Sequence, residues 1–153
     1  MFTADTIQMV YQLTLAAVLG MLVGFEREYH GKPAGLRTYM LVTVGAALFT
    51  IMSVKSSLGV SYFDPSRIAS QVVVGIGFIG GGLILVRGSR IEGLTTAAGL
   101  WATAAIGMAT GFGFYVIAIY TTVLVLFVLW VLRFLENYIH NGDLSQNKRD
   151  EDV

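Results

Sequence analysis

From Gly93 to Leu132 the chain runs 40 residues without a charged side chain. A single helix of that length would be ~60 Å long, twice the ~30 Å hydrocarbon core of a bilayer. The segment must fold back, and Thr110-Gly111-Phe112-Gly113 is the breaker, giving spans at about Leu94–Thr110 and Phe114–Phe134. Three further stretches have membrane length: Thr6–Phe25, Leu36–Val54, and Ile68–Val86, whose 19 uncharged residues lie between Arg67 and Arg87. Charged residues make up 13% of the chain and its mean hydropathy is +0.69, whereas a soluble domain carries about 25% charge. The expectation is an all-α integral membrane protein with five transmembrane helices over residues 1–140. The last helix should stop at Asn141-Gly142, leaving 141–153 as a disordered cytoplasmic tail. The N-terminus lacks a basic n-region and a small-residue cleavage site, so the first span should stay attached.

Glycine spacing sets the expected packing. In the third span Ser70, Gly77 and Gly81 share one helical face, and Gln71, Gly75 and Gly82 another. In lipid such faces are flat surfaces for close helix approach. The glycine-rich third helix is therefore expected at the centre, with Gly77→Leu and Gly81→Leu far more damaging than Val125→Leu. Gly20 and Gly24 in the first span and Gly107 in the fourth are further packing positions. The string Gly75–Gly80 matches a dinucleotide fingerprint but has no flanking βαβ pattern, so close packing is the better reading. The fifth span has no glycine and belongs at the periphery. The stripe Leu94, Trp101, Met108, or the fifth span itself, is the expected contact of a homodimer.

Lysine and arginine counts give the orientation. With the N-terminus outside, Arg27, Lys32, Arg37, Arg87, Arg90, Arg133, Lys148 and Arg149 lie inside, against Lys55 and Arg67 outside. Eight against two predicts N-out and C-in. Gly31, Pro33 and Gly35 mark the first loop, and Asp64 is placed to cap the third helix with Pro65 in its first turn.

No ionisable residue lies in the middle of a span, which disfavours an enzyme, a proton relay or a cation carrier. There is no cysteine, and a formal net charge of zero gives no footprint for nucleic acid. The charges collect at one expected face: Glu26, Arg27 and Glu28 at the end of the first span, Arg37 at the start of the second, Arg87, Arg90 and Glu92 in the turn after the third. They form either an ion-pair girdle that fixes helix ends or a site for a small ligand, an ion or a partner. A hydrated Mg²⁺ held through one or two carboxylates, with Glu26 and Glu28 as the best candidates, is chemically reasonable, though nothing in the spacing demands it. Within the spans the polar groups are Gln71, Thr38, Thr43, Thr95, Thr96 and Thr103. The hydroxyls either bond back to their own helices or line a cavity between the third and fourth helices, walled by Gln71 and Thr96. Gln8 and Gln12 are expected to meet headgroups or water.

Three motifs in order, GFERE with AGLRT, RIASQVVVGIGFIGGG, and GLTTAAGLWATAAIGMATG, resemble the membrane domain of the MgtC/SapB family over roughly Leu22 to Phe114. The matching positions are Glu26, Arg27, Gly35, Leu36, Arg37, Thr38, Arg67, Gln71, Gly75, Gly77, Gly80, Gly93, Thr95, Thr96, Ala97 and Trp101. The resemblance implies a multi-pass protein of the bacterial inner membrane linked to magnesium homeostasis and, in pathogens, to intracellular survival. It also implies a regulatory contact with a membrane complex, since some members are described as restraining the F-type ATP synthase. Some virulence-associated members carry asparagine at the position of Thr95, and many continue into a soluble ACT-like domain; regulation tied to either is not expected here. The family's transporter label sits poorly with spans lacking a carboxylate. The leading expectation is a non-enzymatic protein that binds a partner or small ligand, and the alternative is a Mg²⁺ or small-solute transporter.

Overall fold

The computed structural model describes residues 3–57, 64 and 66–150, with side chains through 134. It is helical apart from one short hairpin: α1 Ala4–Tyr29, α2 Leu36–Ser57, α3 Ser66–Gly81, β1 Leu85–Arg87, β2 Arg90–Glu92, α4 Leu94–Gly111 and α5 Tyr115–Asp150. By length and composition α1, α2 and the Tyr115–Phe134 part of α5 can each cross a membrane, while α3 is a shorter apolar helix.

Local signals explain most boundaries. The Thr3 side chain accepts the Thr6 N–H and starts α1, and the Asp64 carboxylate accepts the Ser66 N–H at 2.8 Å to cap α3. The expected place of Pro65 lies outside the described residues. The α3 helix stops within Gly80-Gly81-Gly82, where the Leu83 N–H bonds back to the Gly80 carbonyl at 3.1 Å. It is thus 16 residues long rather than the 19-residue span expected through Val86, because consecutive glycines cost the helix and release the chain. Residues 85–92 then form an antiparallel hairpin pairing Leu85 with Glu92, Val86 with Ile91 and Arg87 with Arg90. Gly88, at φ +60°, stands first in its two-residue turn, where a type II′ turn takes glycine. Gly93 enters α4 at φ +91°, and any side chain there would collide with the Leu83 carbonyl.

The centre is α4 with α2, not α3. Half of the 18 residues of α4 are buried, against three of the 16 in α3: Ala69, Ile76 and Gly80. The expectation of a central third helix is therefore corrected. A glycine stripe makes a helix face flat, but does not by itself bring a neighbour to it. Gly75, Gly77 and Gly81 have open space where a side chain would project. The tight approaches lie elsewhere. A methyl group at Gly20 would strike Thr43, at Gly24 the Leu36 backbone, at Gly107 the Thr43 carbonyl and at Gly111 Thr50. So α1, α2 and α4 form the packed core through small residues.

Cross-helix contacts fix which ends meet. Gln12 of α1 donates through Nε2 to the carbonyls of Thr110 (3.2 Å) and Gly111 (3.0 Å) at the end of α4. It is buried in a helix interface rather than in contact with headgroups or water, satisfying carbonyls that have no partner within α4. Lys55 at the end of α2 pairs with Asp5 at 3.0 Å, and Tyr11 meets Tyr115 edge to face. At the opposite end the Tyr39 hydroxyl donates to the Thr96 carbonyl at 3.2 Å. The expected periphery of α5 is observed: it packs through Ala118, Thr122 and Leu129, with Val125 and Leu126 half-buried beside them, and leaves most of its other large side chains exposed. Its helix runs through Asn141-Gly142 to Asp150, past the expected stop. One glycine costs only ~1 kcal/mol, and the residues beyond it are helix-compatible.

Candidate functional site

The basic end gathers the C-terminus of α1, the N-termini of α2 and α4, and the hairpin. Arg27 reaches its interior because it continues the buried stripe Gly20, Val23, Gly24 at three- and four-residue spacing. Its side chain is only 4% exposed. Nη1 lies 3.4 Å from Glu26 Oε2, and Nε has no hydrogen-bond partner among the described residues. Glu26 Oε1 lies 2.8 Å from His30 Nδ1, but that ring nitrogen bonds to the Glu26 carbonyl at 2.8 Å, and Oε1 is buried with no hydrogen-bond partner among the described residues.

Glu28 points elsewhere, since residues two apart on a helix do not share a face. Its Oε2 accepts the Leu36 N–H at 2.8 Å and caps α2. The two carboxylates named as metal candidates are thus directed apart, and among the described residues no three acidic or histidine side chains converge on a cation position. Arg37, Glu92 and Thr95 are exposed, and Thr38 is half-buried. Arg87 and Glu92 approach to 3.8 Å as a surface pair, of the kind worth ~0–1 kcal/mol. Arg87 and Arg90 sit opposite one another across the hairpin, a like-charge pairing that opposes its closure.

Thr96 is buried and contributes its carbonyl to Tyr39, while Gln71 lines a groove between α2 and α3. The expected cavity walled by both is therefore not formed. The interior hydroxyls follow the plainer of their two readings: Thr43, Thr50, Thr103 and Thr110 each donate to the carbonyl four residues back, at 2.7–2.8 Å. Two contributors were missed. Tyr39 is fully buried, lies close to Arg27 and Glu26, and has its hydroxyl where a side chain on Gly99 would have to go. Arg133, toward the same end on α5, has a buried Nη1 without a partner among the described residues. The signal for Tyr39 was its place one turn before Thr43 and two before Ala46; nothing in the sequence marked Arg133 as more than a helix-end charge.

The sequence is similar to known proteins. The MgtC family model matches residues 13–138. The chain is 50% identical over 133 residues to the "Putative magnesium transporter YhiD" of Escherichia coli strain K12, covering 84% of this chain and 62% of YhiD. It is 43% identical over 137 residues to the uncharacterized protein slr0014 of Synechocystis, covering 90% and 57% respectively. It is also 43% identical over 124 residues to protein MgtC of Salmonella typhimurium, covering 81% and 52%. The chain thus spans between about half and three fifths of the length of these relatives. No solved structure matches it significantly. With the family model covering most of the chain and the relatives following the same sequence, this membrane protein belongs to the MgtC family.

Proposed function

We propose that this chain is a non-enzymatic, multi-pass inner-membrane protein of magnesium homeostasis that works by binding a membrane partner or small ligand at its basic end. The observation that carries the reading is a pair of guanidinium groups, Arg27 and Arg133, each with a buried N–H lacking an acceptor among the described residues. Leaving such a donor unpaired costs about 1–3 kcal/mol, more for a charged group, so an acceptor brought by a carboxylate or phosphate would recover it. Arg37, Arg87 and Arg90, exposed around the same end, would draw that anionic group in. The names borne by relatives supply the link to magnesium. A five-span path with the basic end cytoplasmic follows from counting α3 and α4 as spans and from the lysine and arginine distribution. A subunit of another membrane complex, such as the F-type ATP synthase, is a partner of the proposed type, and a homodimer is the proposed assembly.

The test pairs complementation with flux. In a strain lacking its own copy, wild type should restore growth at low Mg²⁺ and folded Arg27→Gln should not. Proteoliposomes bearing wild type should pass Mg²⁺ no faster than protein-free vesicles. Saturable flux, lost in Gln71→Leu, would establish the transporter alternative, which the polar Gln71 in the α2–α3 groove favours.

A further inference from the structure

On one side of the bundle α2 and α3 leave a groove between them that reaches from Ile68, near the start of α3, to Leu41 and Ile79, toward the basic end. A cavity of about 530 Å³ lies between them, walled by Val42, Gly45 and Phe49 on one side and by Ile68, Gly75 and Ile79 on the other. Ala46 and Ala104 form part of its lining. Gly45 and Gly75 both border it with open space where a side chain would project. Glycine here widens a slot, whereas Gly20 and Gly107 close one. From Ile68 to Ile79 the groove follows α3 over twelve residues, ~16 Å of helix. Gln71 and Ile68 also line a second depression of about 440 Å³ with Ser70 and Arg67. The two hollows therefore adjoin at Ile68 and Gln71. Arg67 makes no side-chain ion pair within 4 Å among the described residues.

From this arrangement we infer that the α2–α3 groove binds one anionic phospholipid, with an acyl chain between Gly45 and Gly75 and the phosphate at Arg67. The apolar slot runs along the helix toward mid-membrane, as a chain does, and the cation stands at its outer mouth, where a headgroup lies. Gln71 sits between the two and can donate to the glycerol-ester carbonyls. A free anion would have no use for the apolar length. The volume lies in the range of small-molecule sites.

The test is native mass spectrometry of the full chain, delipidated in mild detergent and titrated with phosphatidylglycerol or phosphatidylcholine. Wild type should retain one phosphatidylglycerol per chain in preference to phosphatidylcholine. Gly75→Leu, or Leu41→Trp if that variant fails to fold, should lose the bound lipid while keeping the wild-type circular dichroism melt. Arg67→Gln should weaken phosphatidylglycerol ~tenfold, the loss of one charge-assisted hydrogen bond, and erase the headgroup preference. Equal retention of both lipids by wild type, or undiminished retention in folded groove-filling variants, would overturn the inference. So would displacement of the lipid by millimolar inorganic phosphate, which would make Arg67 a free-anion site. A dimer that Gly45→Leu dissociates would overturn it in favour of a second copy.

Discussion

Alanine at Gly107 should destabilise the bundle, while alanine at Gly77 should not. The added methyl at Gly107 meets the Thr43 carbonyl and comes within 3.0 Å of the Ala46 side chain. The first of these is backbone in the middle of α2 and cannot swing aside. Overpacking of this kind costs about 1–3 kcal/mol. For a chain of this size ~1 kcal/mol shifts the melting temperature by ~2–4 °C, so the expected loss is roughly 2–12 °C. At Gly77 the same methyl meets nothing, and replacing glycine inside a helix gains up to ~1 kcal/mol of propensity. That variant should melt at or slightly above wild type. Both are read by far-ultraviolet circular dichroism in one detergent at one heating rate. If Gly77→Ala loses as much as Gly107→Ala, or neither moves, then α2 and α4 are not the centre of the bundle and the reasoning from their contacts fails.

Gln12→Leu should lower stability by about 1–3 kcal/mol, because it removes the donor from the buried Gly111 carbonyl, while the Thr110 carbonyl keeps the Gly113 N–H; the same melt reads it. Asp64 is held below its ordinary pKa of 3.8, first by the Ser66 hydroxyl and then by the Ser66 N–H. The cap is therefore at full strength above that ordinary value and fades as pH falls through the lowered one; carboxyl-carbon NMR titration should show a depressed midpoint that Ser66→Ala moves upward. Single cysteines at Ser57 and His30 should label from opposite sides of intact cells, Ser57 from outside, and labelling of both from one side would reject the proposed spans.

The sequence located the helices well because charge-free runs and glycine breakers act over ten or more residues at a time. The ends of α4 and the periphery of α5 were readable on that basis. Relative position was not. The glycines of α3 and those of α1 and α4 look alike as spacing, and only the partner chain segment distinguishes an occupied face from an open one. The hairpin was invisible because Leu85 and Val86 continue the apolar run of α3, and the change of conformation depends on three glycines in succession. In the basic cluster the burial of Arg27 was legible from its place on the Gly20–Gly24 stripe. Glu26 and Glu28 were paired as one cation site, although residues two apart on a helix point to different faces. The Leu36 N–H that Glu28 caps depended on how the Gly31–Gly35 loop turned.

Thr43 lies between two helices that approach from different sides. Its side chain is the surface against which Gly20 of α1 rests, and its carbonyl the surface against which Gly107 of α4 rests. The side chain cannot yield to one neighbour freely, since its hydroxyl is tied to the Tyr39 carbonyl at 2.7 Å. Substitutions at Gly20 and Gly107, although on separate elements, therefore push on a common residue, and their energies should not simply add. Interaction terms between sites that share a contact run to ~0.5–3 kcal/mol of either sign. In a chain that tolerates a second-site change at one of these three positions, the set of residues permitted at the other two is redrawn, so α1, α2 and α4 are constrained to vary together.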